Sequence, residues 1–312
     1  MKAFITGISG FVGSYLCEKL LQEGYQVSGI SRRVELKKNK ISFHSCEIND
    51  KQTLKQILEK YKPDEIYHLA GPAFIPFSYN NPFLVYDILV NGTLTLYEAV
   101  RELGLDCKIL YVGSADVYGN GEGNGFEEER VLHPNNPYAG GKACADLISE
   151  QYAKTYGLQI MRARPFNHTG PEQNDSFVCS NFAKQIASME IEGKNEINVG
   201  NINVSRDFLD VRDVVNAYHL IMQKGTQGEV YNVCSGKATK ISEILDWLFY
   251  YSNINDSKIN VDPAKLRSID APIRFGNNQK LLTTGWIPKY DLKDTMRDML
   301  YYWRGVNDEI NK

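Results

Sequence analysis

The stretch Lys2-Ala3-Phe4-Ile5-Thr6-Gly7-Ile8-Ser9-Gly10-Phe11-Val12-Gly13 decides how the rest of the chain is read. Lys2–Thr6 is a short apolar run that stops at a glycine, which reads as a buried strand. Phe11, Val12, Tyr15, Leu16 and Leu20 then recur at helical spacing over Phe11–Glu23, and Gly24 ends that helix. Three glycines sit in the turn between. Gly7 suits a tight turn, Gly10 leaves the backbone open to a phosphate, and Gly13 lets helix and strand pack closely. The helix N-terminus adds amide donors and a positive dipole end. Three glycines in a turn can be purely structural. Their place after the first strand of a βαβ pattern predicts a dinucleotide site built from Gly7, Ser9, Gly10, Phe11, Val12 and Gly13.

Working outward, further strands are expected at Gln26–Ile30, Ile41–Cys46, Glu65–Leu69, Lys108–Val112 and Gln159–Arg164. Helices are expected at Thr53–Tyr61, Phe83–Leu103 and Pro137–Tyr156. This alternation predicts an α/β fold: a Rossmann-type, doubly wound parallel sheet. After Pro165 the rhythm changes. Asn167–Ser176 reads as loop, and helices are expected at Phe177–Glu192, Asp213–Lys224 and Ile241–Tyr251. A strand at Val230–Val233 is expected to return to the sheet edge. The expected division is a nucleotide-binding part over 1–165, joined by returning segments near 204–234, and a smaller substrate lobe over 166–312.

Bulk composition narrows the classes. Hydrophobic residues make up 43% and charged residues 23%, as in an ordinary globular protein. The net charge of -3 gives no electrostatic case for nucleic acid or an anionic membrane. An anionic ligand therefore needs a local cluster of Arg or Lys. The six cysteines form no C-x-x-C pair, so buried reduced thiols are expected rather than disulfides or a metal site. The strand at Lys2 leaves no room for a signal peptide, and no apolar run reaches about 20 residues. The expected compartment is the cytoplasm.

The end of the second strand chooses the cofactor. An acidic residue there would hold the ribose 2′-hydroxyl of NAD. This chain carries Ser31-Arg32-Arg33 instead. Two guanidinium groups suit a 2′-phosphate, so NADP(H) is expected; a solvated basic loop is the other reading. Tyr138-x-x-x-Lys142 opens the long helix after Pro137, and residues four apart share a face. Lys142 is expected to lower the Tyr138 pKa, and Tyr138 to exchange a proton with a substrate oxygen. Ser114, at the end of the Lys108–Val112 strand, is placed to bond the same oxygen. A lone Y-x-x-x-K arises often by chance; here it follows a glycine loop and a strand-end serine.

Together with His68-Leu69-Ala70-Gly71, Asn91-Gly92-Thr93 and Gly113-Ser114-Ala115-Asp116-Val117-Tyr118-Gly119, these motifs resemble the extended short-chain dehydrogenases acting on nucleotide sugars. The likeness runs nearly end to end. Arg164-Pro-Phe-Asn-His-Thr-Gly-Pro171, Phe182-Ala-Lys-Gln-Ile186, Val199-Gly-Asn201, Arg206-Asp-Phe-Leu-Asp-Val-Arg-Asp213 and Tyr231-Asn-Val-Cys-Ser-Gly236 resemble the GDP-4-dehydro-6-deoxy-D-mannose reductases. The resemblance implies a catalytic trio of Ser114, Tyr138 and Lys142. It implies adenine contacts at Glu47 and Ile48, and cofactor contacts at Leu69, Ala70, Gly71, Pro165 and His168. It implies a nucleotide-sugar grip by Asn167, Val178, Asn181, Arg206 and Arg267, together with Ser114 and Tyr138. It further implies a homodimer through the helices Phe83–Leu103 and Pro137–Tyr156.

Two features depart from that pattern. Family members often carry Glu where this chain has Asp116, and in the related 4,6-dehydratases that Glu helps move the C5 proton. Asp116 therefore reads either as a catalytic acid–base group or as a loop carboxylate that positions its surroundings. Gly140-Gly141 inside the catalytic helix costs up to about 1 kcal/mol per glycine against alanine, and close approach by the cofactor or another helix is expected there. His68 reads as a packing residue at a strand end, and His168 as a cofactor contact or a structural group. The expected activity is NADPH-dependent reduction at C4 of a nucleotide 4-keto-6-deoxy sugar, giving GDP-D-rhamnose. The alternatives are a 4,6-dehydratase, a C4 epimerase, a reductase of another sugar nucleotide, or a non-catalytic NADP sensor.

Overall fold

A computed structural model describes residues 1–32, 41–121, 125–254, 256–266 and 271–310. The first part alternates as expected: β1 (Lys2–Thr6), α1 (Phe11–Gln22), β2 (Gln26–Ser31), β3 (Ser42–Ser45), α2 (Lys51–Tyr61) and β4 (Glu65–His68). Next come α3 (Ile75–Asn80), α4 (Pro82–Tyr86), a π-helical turn over Asp87–Asn91, α5 (Gly92–Leu103), β5 (Lys108–Val112), α6 (Pro137–Tyr156) and β6 (Gln159–Pro165). The later elements are β7 (Asn167–Thr169), α7 (Val178–Glu192), β8 (Glu196–Val199), β9 (Ser205–Arg206), β10 (Phe208–Asp210), α8 (Val211–Lys224) and β11 (Val230–Val233). The described chain ends with β12 (Thr239–Lys240), α9 (Ile241–Tyr251), β13 (Lys258–Val261), β14 (Ile273–Arg274), α10 (Gln279–Leu282) and α11 (Leu292–Ile310).

Seven strands form one sheet in the order β11-β6-β5-β4-β1-β2-β3, and each neighbouring pair is parallel. The order reverses at β1, so a crevice opens at the carboxyl ends of β1 and β4, where such sheets bind ligands. β11 pairs with β6 through Tyr231↔Ala163 and Val233↔Pro165, the expected return to the sheet edge. Successive strand residues face opposite sides. On β5, Leu110 and Val112 enter one core with Leu16, Leu20, Val214 and Tyr218 from α1 and α8. Ile109 and Tyr111 enter the other with Leu54, Leu96 and Tyr152 from α2, α5 and α6. Each fully buried Leu or Ile contributes roughly 1.5–3 kcal/mol relative to exposure.

Several elements differ from the sequence expectation. The expected helix over Phe83–Leu103 is interrupted by the π-helical turn, which sets Leu89 against two glycines. A Cβ on Gly71 would lie 2.5 Å from Leu89 Cδ2, and one on Gly141 would lie 2.9 Å from Leu89 Cδ1. A Cβ on Gly140 would lie 2.2 Å from the Tyr86 hydroxyl. Another helix, not the cofactor, therefore explains Gly140-Gly141. The run Pro82–Leu103 is long and apolar enough, by length and composition, to cross a bilayer, contrary to the expectation of none. Here it packs against α2 and α6, and Leu96, Tyr97, Ala99 and Val100 belong to the core, while Phe83 and Leu84 are exposed. The helix α11 was not expected. Its Met296, Met299, Leu300 and Trp303 do fall at helical spacing, and they pack with α7 and α9 in a third core away from the sheet. The short strands β7 to β10 and β12 to β14 also went unread; each has four residues or fewer, too few to show a period. The thiols are free and mostly buried, but Cys144 is exposed.

Helix α6 carries the expected catalytic pair, and polar contacts fix its pose. Asn136 caps its first turn, accepting from the Ala139 amide at 2.9 Å, and Pro137 stands at the first helical position. Further along, Asp146 is fully buried and accepts from Arg164 Nε and Nη2, both at 2.9 Å, and from Arg162 Nη1 at 2.7 Å. Both arginines project from β6, so this triad clamps α6 onto the sheet. Removing the carboxylate would leave buried Arg164 without an anionic partner and Arg162 with Glu150 alone, at 2.9 Å. Asp146→Ala is expected to cost about 3–5 kcal/mol of unfolding free energy in urea titration; a loss below 1 kcal/mol would show that the clamp carries little.

Candidate functional site

A cleft of about 1340 Å³ runs from the carboxyl ends of the sheet strands into the C-terminal part. Its inner end is the glycine turn. Gly7 adopts φ +76°, and a Cβ there would lie 3.2 Å from the Ala70 backbone, so the turn rests directly on the loop after β4. A Cβ on Gly13 would lie 2.4 Å from the Gly7 carbonyl oxygen, so the close approach is to the turn after β1 rather than to the strand expected. Gly10 is the N-cap of α1 and makes no side-chain cap, and the first turn has no acidic residue. The leading amides of α1 are therefore available to an anion. Ser9 and Ser31 share a hydrogen bond that ties the turn to the end of β2.

Every described residue expected at the cofactor site lies on this cleft: Gly7, Ser9 to Gly13, Arg32, Glu47, Ile48, Leu69, Ala70, Gly71, Pro165 and His168. Arg33 lies outside the described residues. Arg32 is exposed, directly after β2. The donor set fits a dinucleotide: uncapped amides, glycines where a Cβ would intrude, and a guanidinium in place of an acid. The Tyr218 hydroxyl, on the same wall, has no partner among the described residues. His168 lines the cleft and is held by neighbouring protein groups. Its ring stacks on Phe11 at 6.5 Å, and burial pushes its pKa down. As a neutral ring, its Nδ1–H donates to the Phe166 carbonyl at 2.9 Å. His68 is structural, bridging Thr6 and Thr93 at 2.8 and 3.0 Å, and burial holds it down at about 3.

The middle of the cleft holds Ser114, Tyr138 and Lys142. Tyr138 and Lys142 are one turn apart on α6, and Ser114 follows β5. The electrostatics differ from the sequence expectation. The Tyr138 pKa is raised, first by burial and then by the Asp116 charge, while a hydrogen bond with Ser114 lowers it. Lys142 is not a cause of that shift. Its ammonium donates to the Val112 carbonyl at 2.7 Å and lies 5.5 Å from the Tyr111 ring centre. Burial pushes Lys142 down to about 8, opposed by Asp146. Asp116 is engaged as well. Arg274 Nη1 lies 2.8 Å from Oδ1, and Ser114 Oγ donates to Oδ2 at 3.3 Å.

The outer end carries Asn167, Val178, Asn181 and Arg206, four of the residues expected to grip the substrate. Arg206 Nη1 donates to the Ser205 and Ala271 carbonyls at 2.7 and 2.8 Å. Asn181 Nδ2 donates to the Asp175 carbonyl at 3.0 Å. Arg267 lies outside the described residues. Sequence reasoning missed Arg274, Lys265 and Tyr218 on this wall. No local motif marks Arg274, because its partner lies more than 150 positions away in the chain. Tyr218 was hidden in an ordinary apolar helix pattern.

The description "GDP-mannose 4,6 dehydratase" belongs to the family model that matches residues 4–299. The chain belongs to this family. It is 36% identical over 307 residues to a GDP-6-deoxy-D-mannose reductase of Pseudomonas aeruginosa, covering 97% of each chain. It is 28% identical over 320 residues to GDP-mannose 4,6 dehydratase 1 of Arabidopsis thaliana, covering 96% of this chain and 88% of that one. Among solved structures, it resembles RMD from Pseudomonas aeruginosa complexed with NADPH, with TM-score 0.86 and 34% identity over 98% of this chain and 99% of that one. It also resembles a UDP-glucose 4-epimerase of Thermotoga maritima with UDP-glucose, with TM-score 0.91 and 26% identity over 98% and 100%.

The Lys142 shift has a stability consequence. Its folded value, about 8, lies below the usual 10.5. Between those values the unfolded chain binds more protons, so this group makes the fold more stable as pH rises through that window. Lys142→Met should lose that gain. Urea unfolding of both proteins at pH 8 and pH 10 checks it; an equal pH dependence in the two would contradict the buried-ammonium account.

Proposed function

We propose that this protein reduces the C4 ketone of a nucleotide-linked 4-keto-6-deoxy sugar with NADPH. The substrate in this reading is GDP-4-dehydro-6-deoxy-D-mannose and the product is GDP-D-rhamnose. The observation that carries it is the position of Ser114, Tyr138 and Lys142. They lie where the glycine-turn end of the cleft meets the end lined by Asn167, Asn181 and Arg206. The 36% identity to a GDP-6-deoxy-D-mannose reductase supports the substrate class. Arg32 after β2, with no acid there, supports the 2′-phosphate form of the cofactor, as does the likeness to a reductase complexed with NADPH.

Bound NADPH would supply the hydride. The remaining chemistry belongs to the chain. Ser114 donates a hydrogen bond to the ketone oxygen and holds it near Tyr138. Tyr138 keeps its proton in the free site, since burial raises its pKa, and gives it to the oxygen as negative charge develops there. Lys142, one helical turn away, holds α6 to the Val112 carbonyl and so fixes where the phenol stands. Residues 1–165 with the segments near 204–234 form the cofactor half in this reading, and 166–312 the substrate half. The working form is a cytoplasmic homodimer. Exposed Tyr79, Phe83 and Leu84, beside exposed Leu147 of α6, offer it an apolar contact face.

The second reading is a 4,6-dehydratase, supported by relatives of that description at 25–29% identity. Cofactor balance separates the two. Reduction should consume one NADPH per sugar, whereas a dehydratase or epimerase turns over with no net consumption. Tyr138→Phe is expected to lower kcat about 10²–10⁴-fold while retaining NADPH binding. Arg32→Ala should reduce the ratio of kcat/KM for NADPH over NADH by tenfold or more, corresponding to about 1.4 kcal/mol. A wild-type preference for NADH would overturn the cofactor assignment, and sugar turnover without NADPH consumption would overturn the reductase.

A further inference from the structure

The carboxylates on the cleft wall are Glu47, Asp87, Asp116 and Asp175, and among the described residues only Asp116 touches a catalytic hydroxyl. Its charge also acts on Tyr138. That placement is hazardous for a ketone reductase. A carbonyl held by two hydroxyl donors acidifies the C–H bonds of the neighbouring carbons, and an adjacent carboxylate is a suitable base to remove such a proton. The resulting enolate could be reprotonated on the wrong face or expel a neighbouring leaving group.

The structure holds Asp116 in another arrangement. Oδ1 is paired with Arg274 Nη1 at 2.8 Å, and Oδ2 accepts from Ser114 at 3.3 Å, so both oxygens are engaged. Only 16% of the Arg274 side chain and 20% of the Asp116 side chain are exposed, so water screens the pair weakly. Arg274 is set in place by its backbone. It lies beside Arg206 across the parallel β9–β14 pair, and its carbonyl accepts from the Asp207 amide at 2.9 Å. On either side, the Pro272 carbonyl accepts from Ser205 at 2.8 Å and the Phe275 carbonyl from Phe126 at 2.9 Å. The arginine thus reaches the catalytic serine loop from a braced strand.

We propose that Arg274 is a specificity-determining residue: by holding Asp116 it limits the site to proton donation at the carbonyl oxygen and keeps the adjacent C5–H bond intact. This rests on the keto-sugar reading above. With Arg274 removed, the Asp116 carboxylate takes the C5 proton. The C–H electron pair moves into an enolate whose oxygen is held by Ser114 and Tyr138. Proton return from solvent restores the ketone with a solvent hydrogen at C5.

The test uses GDP-4-dehydro-6-deoxy-D-mannose in D₂O with enzyme and NADP⁺, which cannot reduce it, and NMR to follow deuterium entering C5. Wild type and R274K should match the enzyme-free background. R274L and R274Q should exceed it by tenfold or more, and adding D116N to either should return the rate to background. Either variant staying at background while binding NADPH overturns the proposal, as does exchange that survives D116N or wild type exchanging as fast as R274L. Parallel reduction assays with NADPH separate the two readings. A wild type that cannot reduce this sugar overturns both, whereas reduction without variant-dependent exchange overturns only the role of Arg274.

Discussion

The attachment of α6 to the sheet is the constraint on which the site depends. Asp146, between Arg162 and Arg164, holds the middle of the helix against β6. One turn earlier, the Lys142 ammonium holds it to the last carbonyl of β5. Gly140 and Gly141 let α4 and the π-helical turn press on the outer face at distances no larger residue allows. Tyr138 therefore meets Ser114 without a search. Buried charges stabilise little in themselves, but an unpaired one is costly, so the pose of the helix is strongly specified.

The same economy governs the cations of the cleft. The chain as a whole is slightly acidic, with net charge -3. Positive groups are placed at particular points instead: Arg32 after β2, Lys142 at the Val112 carbonyl, and Arg206 with Arg274 across one strand pair. Each is exposed or anchored by the backbone. Such fixed charges favour anions at particular points without drawing polyanions to the surface at large.

Much of this was legible in the sequence because its signals are local. The glycine turn, the short apolar strands and the four-residue spacing of Tyr138 and Lys142 each lie within a dozen residues, and the structure places them as read. The π-helical turn was not legible, because its apolar pattern matches an ordinary helix and only Leu89 against Gly71 and Gly141 shows its use. The helix α11 was legible in principle, through Met296, Met299 and Leu300, but lies far from any motif. The Asp116–Arg274 pair was beyond reach, since it joins distant segments through a two-residue strand. The direction of the Tyr138 shift was misjudged for a related reason. Spacing places the ammonium one turn away, but it does not show that the ammonium is bonded to Val112.

In the proposed reaction Ser114, Tyr138 and Lys142 hold the sugar carbonyl while a hydride reaches its carbon. Reduction of GDP-4-dehydro-6-deoxy-D-mannose with NADPH deuterated at the nicotinamide C4, on the face that is transferred, tests it most directly. The account predicts one deuterium per product molecule, located at C4 of the sugar by NMR. Product formed without deuterium at C4 would contradict it.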